Sequence, residues 1–343
     1  MVSWVERPSV QIDLGQPMGE RFDAVDPQLI RASKKLLDSI RMDMPAGAMK
    51  IATLMSVRTG KRFDRELKAM AKLAQIDWKW LMVANVSYDF VLKMFCCSTM
   101  ALPTPEGPVL ARNMDWWPQN LLAQASCTLV YRETGELRFA IAGWPGSVGV
   151  VTGMSGNGFA IAINAVAKPR GDSKTGYPVL LHMRRVLEDA KNYHDAVDRL
   201  TTQKLMAPAL LTVVGTRNSE RVVIERTATT AEHRTADNDK PLLATNDYKK
   251  LDGGGNTWDN EELWQSTCAR YDALVGHCDR LLKDKQTGDD ALLYVLSEDN
   301  VIQQITAQHI IVQPSTRRMR HFVPAHLLGE GVETRDARSP RRA

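Results

Sequence analysis

Residues 95–118 read FCCSTMALPTPEGPVLARNMDWWP. Two apolar runs, Cys97–Thr104 and Val109–Asn113, flank a Pro-Glu-Gly turn, which is the pattern of a β-hairpin. The first run begins at two adjacent cysteines, and the second leads into Arg112-Asn113-Met114-Asp115. A thiolate is an intrinsically good nucleophile once its proton is gone. A single hairpin thus brings a nucleophilic side chain and two charged ones into the same neighbourhood.

The chain changes character at this stretch. Upstream it reads as helical. Asp26-Pro27 is a cap followed by a first-position proline, with Leu29, Ile30, Leu36, Leu37 and Ile40 at helical spacing. Arg65–Ala74 places Leu67, Met70 and Leu73 on one face, and Asp77 caps a further run through Tyr88. Downstream, short apolar runs bounded by turn residues dominate: Thr128–Arg132 with Leu137–Ala142, then Val148–Thr152 with Phe159–Val166. Helical stretches follow near 177–190 and 193–202, and strands at 209–215, 221–226 and 241–245. Long helical patterns cover 260–284 and 288–297, and a hairpin closes the pattern at 308–313 and 318–323. Strands and helices in such blocks predict an α+β fold with helices packed on antiparallel sheets.

Four ordered motifs resemble the N-terminal nucleophile (Ntn) cysteine hydrolases, a group that includes the acyl-CoA:6-aminopenicillanate acyltransferase precursors, choloylglycine hydrolases and acid ceramidases. The family pattern is a cysteine followed by hydroxyl residues, a hairpin, and Gly/Ala-Arg-Asn-x-Asp. Here it is Cys97-Ser98-Thr99, Gly107, then Ala111-Arg112-Asn113-Met114-Asp115. Met154-Ser155-Gly156-Asn157-Gly158, leading to Asn164, is similar to a second family segment. Thr245-Asn246 resembles the strand end whose asparagine helps form the oxyanion hole, and Ser266-x-x-Ala269-Arg270-Tyr271 resembles the segment that supplies an active-site arginine. Read without the resemblance, Arg270 on a long polar helix equally suits a solvated ion pair.

The resemblance implies an αββα sandwich of two antiparallel sheets. It implies a helical pro-segment over 1–96 and a catalytic domain over 97–330, while the basic tail over 331–343 reads as disordered from its own composition. It also implies self-cleavage between Cys96 and Cys97. A freed α-amine, with a reference pKa of about 7.7–8.0, then takes the thiol proton without a histidine base. The expected catalytic set is Cys97, Arg112, Asp115, Asn164, Asn246 and Arg270, with Trp116 and Trp117 beside the substrate. Cys97 is favoured over Cys96 because Ser98 and Thr99 then hold the hydroxyl positions, yet the spacing to Arg112 leaves both cysteines open. The implied substrate is a small N-acyl amide. Hydrolysis and acyl transfer share the acyl-enzyme, so both stay open, as do the acyl group, the amine and the oligomeric state. The cleaved fragments are expected to stay associated.

Composition narrows the alternatives. The formal charge of +4 is partly carried by Arg335, Arg338, Arg341 and Arg342, which leaves no basic footprint for nucleic acid over the rest of the chain. The five cysteines form neither a disulfide framework nor a zinc spacing, and Cys127, Cys268 and Cys278 read as core residues. No cofactor or metal is expected. Residues 139–167 carry no formal charge, but Pro145 and the glycines at 143, 146, 149, 153, 156 and 158 suit buried strands and turns better than a membrane span. With no secretory pattern at the N-terminus, the expected location is cytoplasmic.

Overall fold

The computed structural model describes residues 3–42, 44, 47–90, 95–166, 173–255, 258, 260–329 and 335–336. In chain order the N-terminal segment gives β1 (Ser3–Glu6), β2 (Ser9–Asp13), α1 (Pro27–Met42), α2 (Ala48–Arg58), α3 (Asp64–Ala74) and α4 (Trp78–Asn85). Then come β3 (Phe95–Leu102), β4 (Val109–Trp116), α5 (Gln119–Ala125), β5 (Cys127–Glu133), β6 (Glu136–Gly143), β7 (Thr152–Ser155) and β8 (Phe159–Asn164). The next block holds α6 (Val179–Asp189), α7 (Tyr193–Thr202), β9 (Ala209–Val214), β10 (Arg221–Arg226), β11 (Ala231–Arg234) and β12 (Leu242–Ala244). The last holds α8 (Glu261–Lys283), α9 (Asp289–Leu296), β13 (Thr306–Gln313), β14 (Arg318–Pro324) and β15 (Arg335–Asp336).

Two sheets form from these strands. One runs β12-β3-β4-β13-β14-β1-β15 and the other β11-β10-β9-β8-β7-β6-β5-β2. Helices α8 and α9 pack on the outer face of the first sheet, and α6 and α7 on the second, so the layers are helix, sheet, sheet, helix. With both faces covered, β3, β4, β8 and β9 are buried along almost their whole length, which is why their sequences read as continuous apolar runs. The caps read from sequence are made: Asp26 Oδ1 accepts the N–H of Gln28 at 2.7 Å, and Asp77 Oδ1 accepts that of Lys79 at 2.9 Å.

The N-terminal segment is not wholly helical. β1 pairs antiparallel with β14 in the first sheet, and β2 pairs parallel with β5 in the second. Only Arg7 and Pro8 separate the two strands, so the first residues of the chain stitch both sheets together. Two four- or five-residue strands interrupted by Pro8 are too short for a period to register, and so the sequence pattern passes over them. The hairpin expected from Val148–Thr152 is also displaced. The strand is β7, Thr152–Ser155, and residues 148–150 form a buried loop whose amides bond outside any ladder. The basic tail lies outside the described residues except for Arg335–Asp336, which pairs with Ser3 and Trp4.

Candidate active site

β3 and β4 pair so that Cys97 stands opposite Met114, Thr99 opposite Arg112 and Cys96 opposite Asp115. Side chains alternate across a strand. Cys97, Thr99, Arg112 and Met114 therefore face the second sheet, and Cys96, Ser98 and Asp115 face the helix side.

Cys97 is held at both its sulfur and its nitrogen. Arg112 Nη2 donates to Cys97 Sγ at 2.7 Å, and the Cys97 N–H donates to Asn246 Oδ1 at 2.9 Å. Arg112 is fully buried, and its remaining donors reach Val151 O and Thr152 Oγ1 at 3.2 Å each and Asn113 O at 3.3 Å. A buried guanidinium needs such a full set, because an unpaired buried charge is costly. Arg270 also comes in, although its helix reads as polar. Buried to 1 % exposure, it donates to Cys97 O at 2.6 Å and to Ser98 Oγ and Asn246 Oδ1 at 2.9 Å each. Asn246 Nδ2 donates to Ala165 O at 2.8 Å. Asn164 acts as a brace between sheets: its Oδ1 accepts from Thr99 Oγ1 at 2.7 Å, and its Nδ2 donates to Ala244 O and Thr245 O.

Electrostatics separate the two thiols. Burial pushes the Cys97 thiol up, and the Arg112 guanidinium works against that rise. Burial also raises Cys96, to about 11, with opposition from Arg270. Among the described residues only the Cys97 sulfur has a cation in hydrogen-bond contact. The Asp115 carboxyl is pushed up to about 6 by burial against the pull of Arg270, Thr306 and Arg112. Its Oδ1 accepts from Thr306 Oγ1 at 2.6 Å, while its buried Oδ2 has no hydrogen-bond partner among the described residues.

Several supporting residues escape sequence reading. Thr267 Oγ1 accepts the Asn246 N–H at 2.8 Å, and Trp258 Nε1 donates to Asn246 O at 2.8 Å. Glu225, wholly buried on β10, accepts the consecutive N–H groups of Lys249, Lys250 and Leu251 together with Arg234 Nε, and so fixes the turn after Asn246. A glutamate inside the apolar strand Arg221–Arg226 is the one signal of this set that the sequence carries.

On the face of Cys97 lies a small, largely apolar recess, lined by Met114, Trp116, Trp144, Val151, Leu180 and Ala84 among others. Trp116 is part of that lining. Trp117 is 45 % exposed and is not part of that lining.

Comparison with known proteins finds relatives of this chain. The family model described as "Acyl-coenzyme A:6-aminopenicillanic acid acyl-transferase" matches residues 102–325, beginning just after Cys97. An acid ceramidase from Balaenoptera acutorostrata scammoni is 26% identical over 188 residues, covering 48% of this chain and 47% of the relative. The N-acylethanolamine-hydrolyzing acid amidase of Caenorhabditis elegans is 21% identical over 237 residues, covering 63% of this chain and 66% of the relative. The chain therefore spans about half the length of the acid ceramidase. A solved structure of the Caenorhabditis elegans N-acylethanolamine-hydrolyzing acid amidase ortholog superposes with a TM-score of 0.52 at 22% identity, covering 64% of this chain and 93% of that one. The two-sheet fold and a family match over most of the chain lead to one conclusion: the protein belongs to the acyl-coenzyme A:6-aminopenicillanic acid acyl-transferase family, and its fold is that of the Ntn hydrolases.

Proposed function

We propose that the protein is a self-processing cysteine amidase that hydrolyses a linear, non-peptide amide through a thioester on Cys97. The observation that carries this reading is the double hold on Cys97, with Arg112 at its sulfur and Asn246 at its nitrogen. In the first step Cys97 Sγ attacks the carbonyl carbon of Cys96. The C–N bond breaks as the C–S bond forms, and the thiol proton goes to the departing nitrogen. Water then hydrolyses the thioester, which leaves a carboxylate on Cys96 and a free α-amine on Cys97. In later turnovers that amine takes the thiol proton as the sulfur attacks the substrate carbonyl, and returns it to the leaving amine. Water completes the cycle. Arg112 favours the thiolate. Asp115, with an unpartnered oxygen across the strand from Cys96, suits an ammonium at the new chain end.

The test is intact mass and N-terminal sequencing of the purified protein, followed by a panel of N-acyl amides. Cleavage before Cys97 with amide hydrolysis is the expected result. A single uncut chain with full activity would overturn the amine-base mechanism. A second reading is acyl transfer, which the name of the matching family favours. In that case added amine acceptors such as 6-aminopenicillanate divert the acyl group from water, and an N-acylated acceptor accumulates. Among the described residues no helix is long and apolar enough to cross a membrane. The cytoplasm is the proposed compartment, supported by five free cysteines.

A further inference from the structure

The recess beside Cys97 has one wall that does not stand on the catalytic domain. Residues 146–149 turn across the recess, and their amides and carbonyls are bound by Asn85, the last residue of α4. Asn85 Oδ1 accepts the N–H of Val148 at 2.7 Å and of Gly149 at 2.8 Å. Its Nδ2 donates to Gly146 O at 2.9 Å and to its own helix at Leu81 O, 2.7 Å. The residue is 3 % exposed, and these four bonds engage both polar atoms of its amide. The turn is seated tightly on the helix. A Cβ added at Gly149 would lie 2.9 Å from Leu180 Cβ and 3.0 Å from Asn85 O, and one at Gly146 would lie 2.8 Å from Leu81 Cδ2. This is also why residues 148–151 leave the strand that their sequence suggests: Asn85 takes two of the amides a ladder would use, and Leu180 O takes that of Val150.

Two residues of the recess adjoin the groups that hold the nucleophile. Met114 in its lining is the direct cross-strand partner of Cys97, and Val151 accepts the hydrogen bond of Arg112. Its apolar walls, Trp116, Trp144 and Leu180, suit the acyl side of an amide rather than the departing amine.

We propose that Asn85 is a positioning residue that sets acyl-group selectivity: it hangs one wall of the acyl recess on the segment that precedes the cleavage point. The proposal rests on the amidase reading above. Selectivity then belongs jointly to both fragments of the cut molecule. With the wall pinned by Asn85, the recess takes a compact acyl group, and releasing the wall admits longer chains.

The experiment uses the full chain and a series of 4-nitroanilides with acyl groups from acetyl through hexanoyl and phenylacetyl to palmitoyl. Wild type, Asn85→Ala and Asn85→Asp are compared by kcat/KM for each member, with circular dichroism as the check on folding. The aspartate keeps the two accepting bonds and loses both donating ones, so it remains informative where the alanine variant fails to fold. The expected result is a change of at least tenfold in the ratio of compact to long-chain kcat/KM, larger for alanine than for aspartate. An equal fall for every acyl group, or a ratio within twofold of wild type, means that Asn85 has only a structural role and overturns the proposal. Failure of the amidase reading is recognised separately. In that case the wild type itself turns over no member of the series, or Cys97→Ala turns over all of them, and the proposal falls with it.

Discussion

Cys96 and Cys97 are neighbours in sequence, but the pleat sends them to opposite faces of β3, and the two thiols meet different chemistry. Cys97 has the Arg112 guanidinium at 2.7 Å, whereas Cys96 is raised to about 11 with no such contact. Cys97→Ala is therefore expected to abolish amide turnover and self-cleavage while the protein stays folded, and Cys96→Ala to retain both. Rate assays and a denaturing gel of the two variants decide between the thiols, and activity lost only in Cys96→Ala reverses the assignment. Asn246→Ala is expected to lower kcat by roughly 10²–10³ if its amide serves the tetrahedral intermediate. One amide hydrogen is engaged by Ala165 O, which leaves the other for an oxyanion. A kcat within twofold of wild type places that duty elsewhere. The motif residues were legible in the sequence because each sits at a strand end or in a compact segment. Thr267 and Trp258 were not, because a hydrogen-bonded support has no spacing rule linking it to the residue it supports.

The hairpin β3–β4, the helices α6 to α9 and the closing hairpin β13–β14 all follow the sequence pattern to within a few residues, since each has its own period and its own turn or cap. What the pattern missed are elements defined by distant partners. β1 and β2 are too short to announce themselves, yet Trp4 and Ile12 are completely buried. Trp4 lies with its ring centroid 3.4 Å from that of His309, and its Nε1 donates to Ser297 Oγ at 2.8 Å. Trp4→Ala is thus expected to cost about 3–5 kcal/mol, in line with large-to-small changes in a packed core. Denaturant unfolding of the variant measures this. A loss below about 1 kcal/mol would show that β1 is dispensable to the first sheet.

On the scale of the molecule, the buried histidines set the response to acid. Burial lowers His182 and His321 to about 3 each and holds His309 well below its usual range. His182 is further fixed as neutral by Arg185, whose guanidinium donates to its Nδ1 at 3.0 Å. An unfolded histidine, with a pKa of about 6.5, binds a proton that these three refuse in the fold, so they favour unfolding as pH falls below that value. Two buried carboxyls act in the opposite sense: Asp89, raised to about 7, and Asp115, raised to about 6, hold protons in the fold that they lack when unfolded above about pH 4. Three protons against two leave a net of one between about pH 4 and 6, or about 1.4 kcal/mol of stability lost per pH unit. Below about pH 4 the carboxyls are protonated in both states, their offset disappears, and the loss steepens. Chemical denaturation at pH 7, 5.5 and 4.5 checks the slope, and stability that rises on acidification contradicts it. The threading of β1 and β2 through both sheets has a final consequence for the molecule's history. An uncut chain can unfold and return by a first-order search. After a cut before Cys97, the same journey begins with two separate polymers, and return depends on their meeting. The proposed cut would leave the native contacts in place but make their recovery depend on concentration, so a dilute solution of the processed protein, once melted, would not come back.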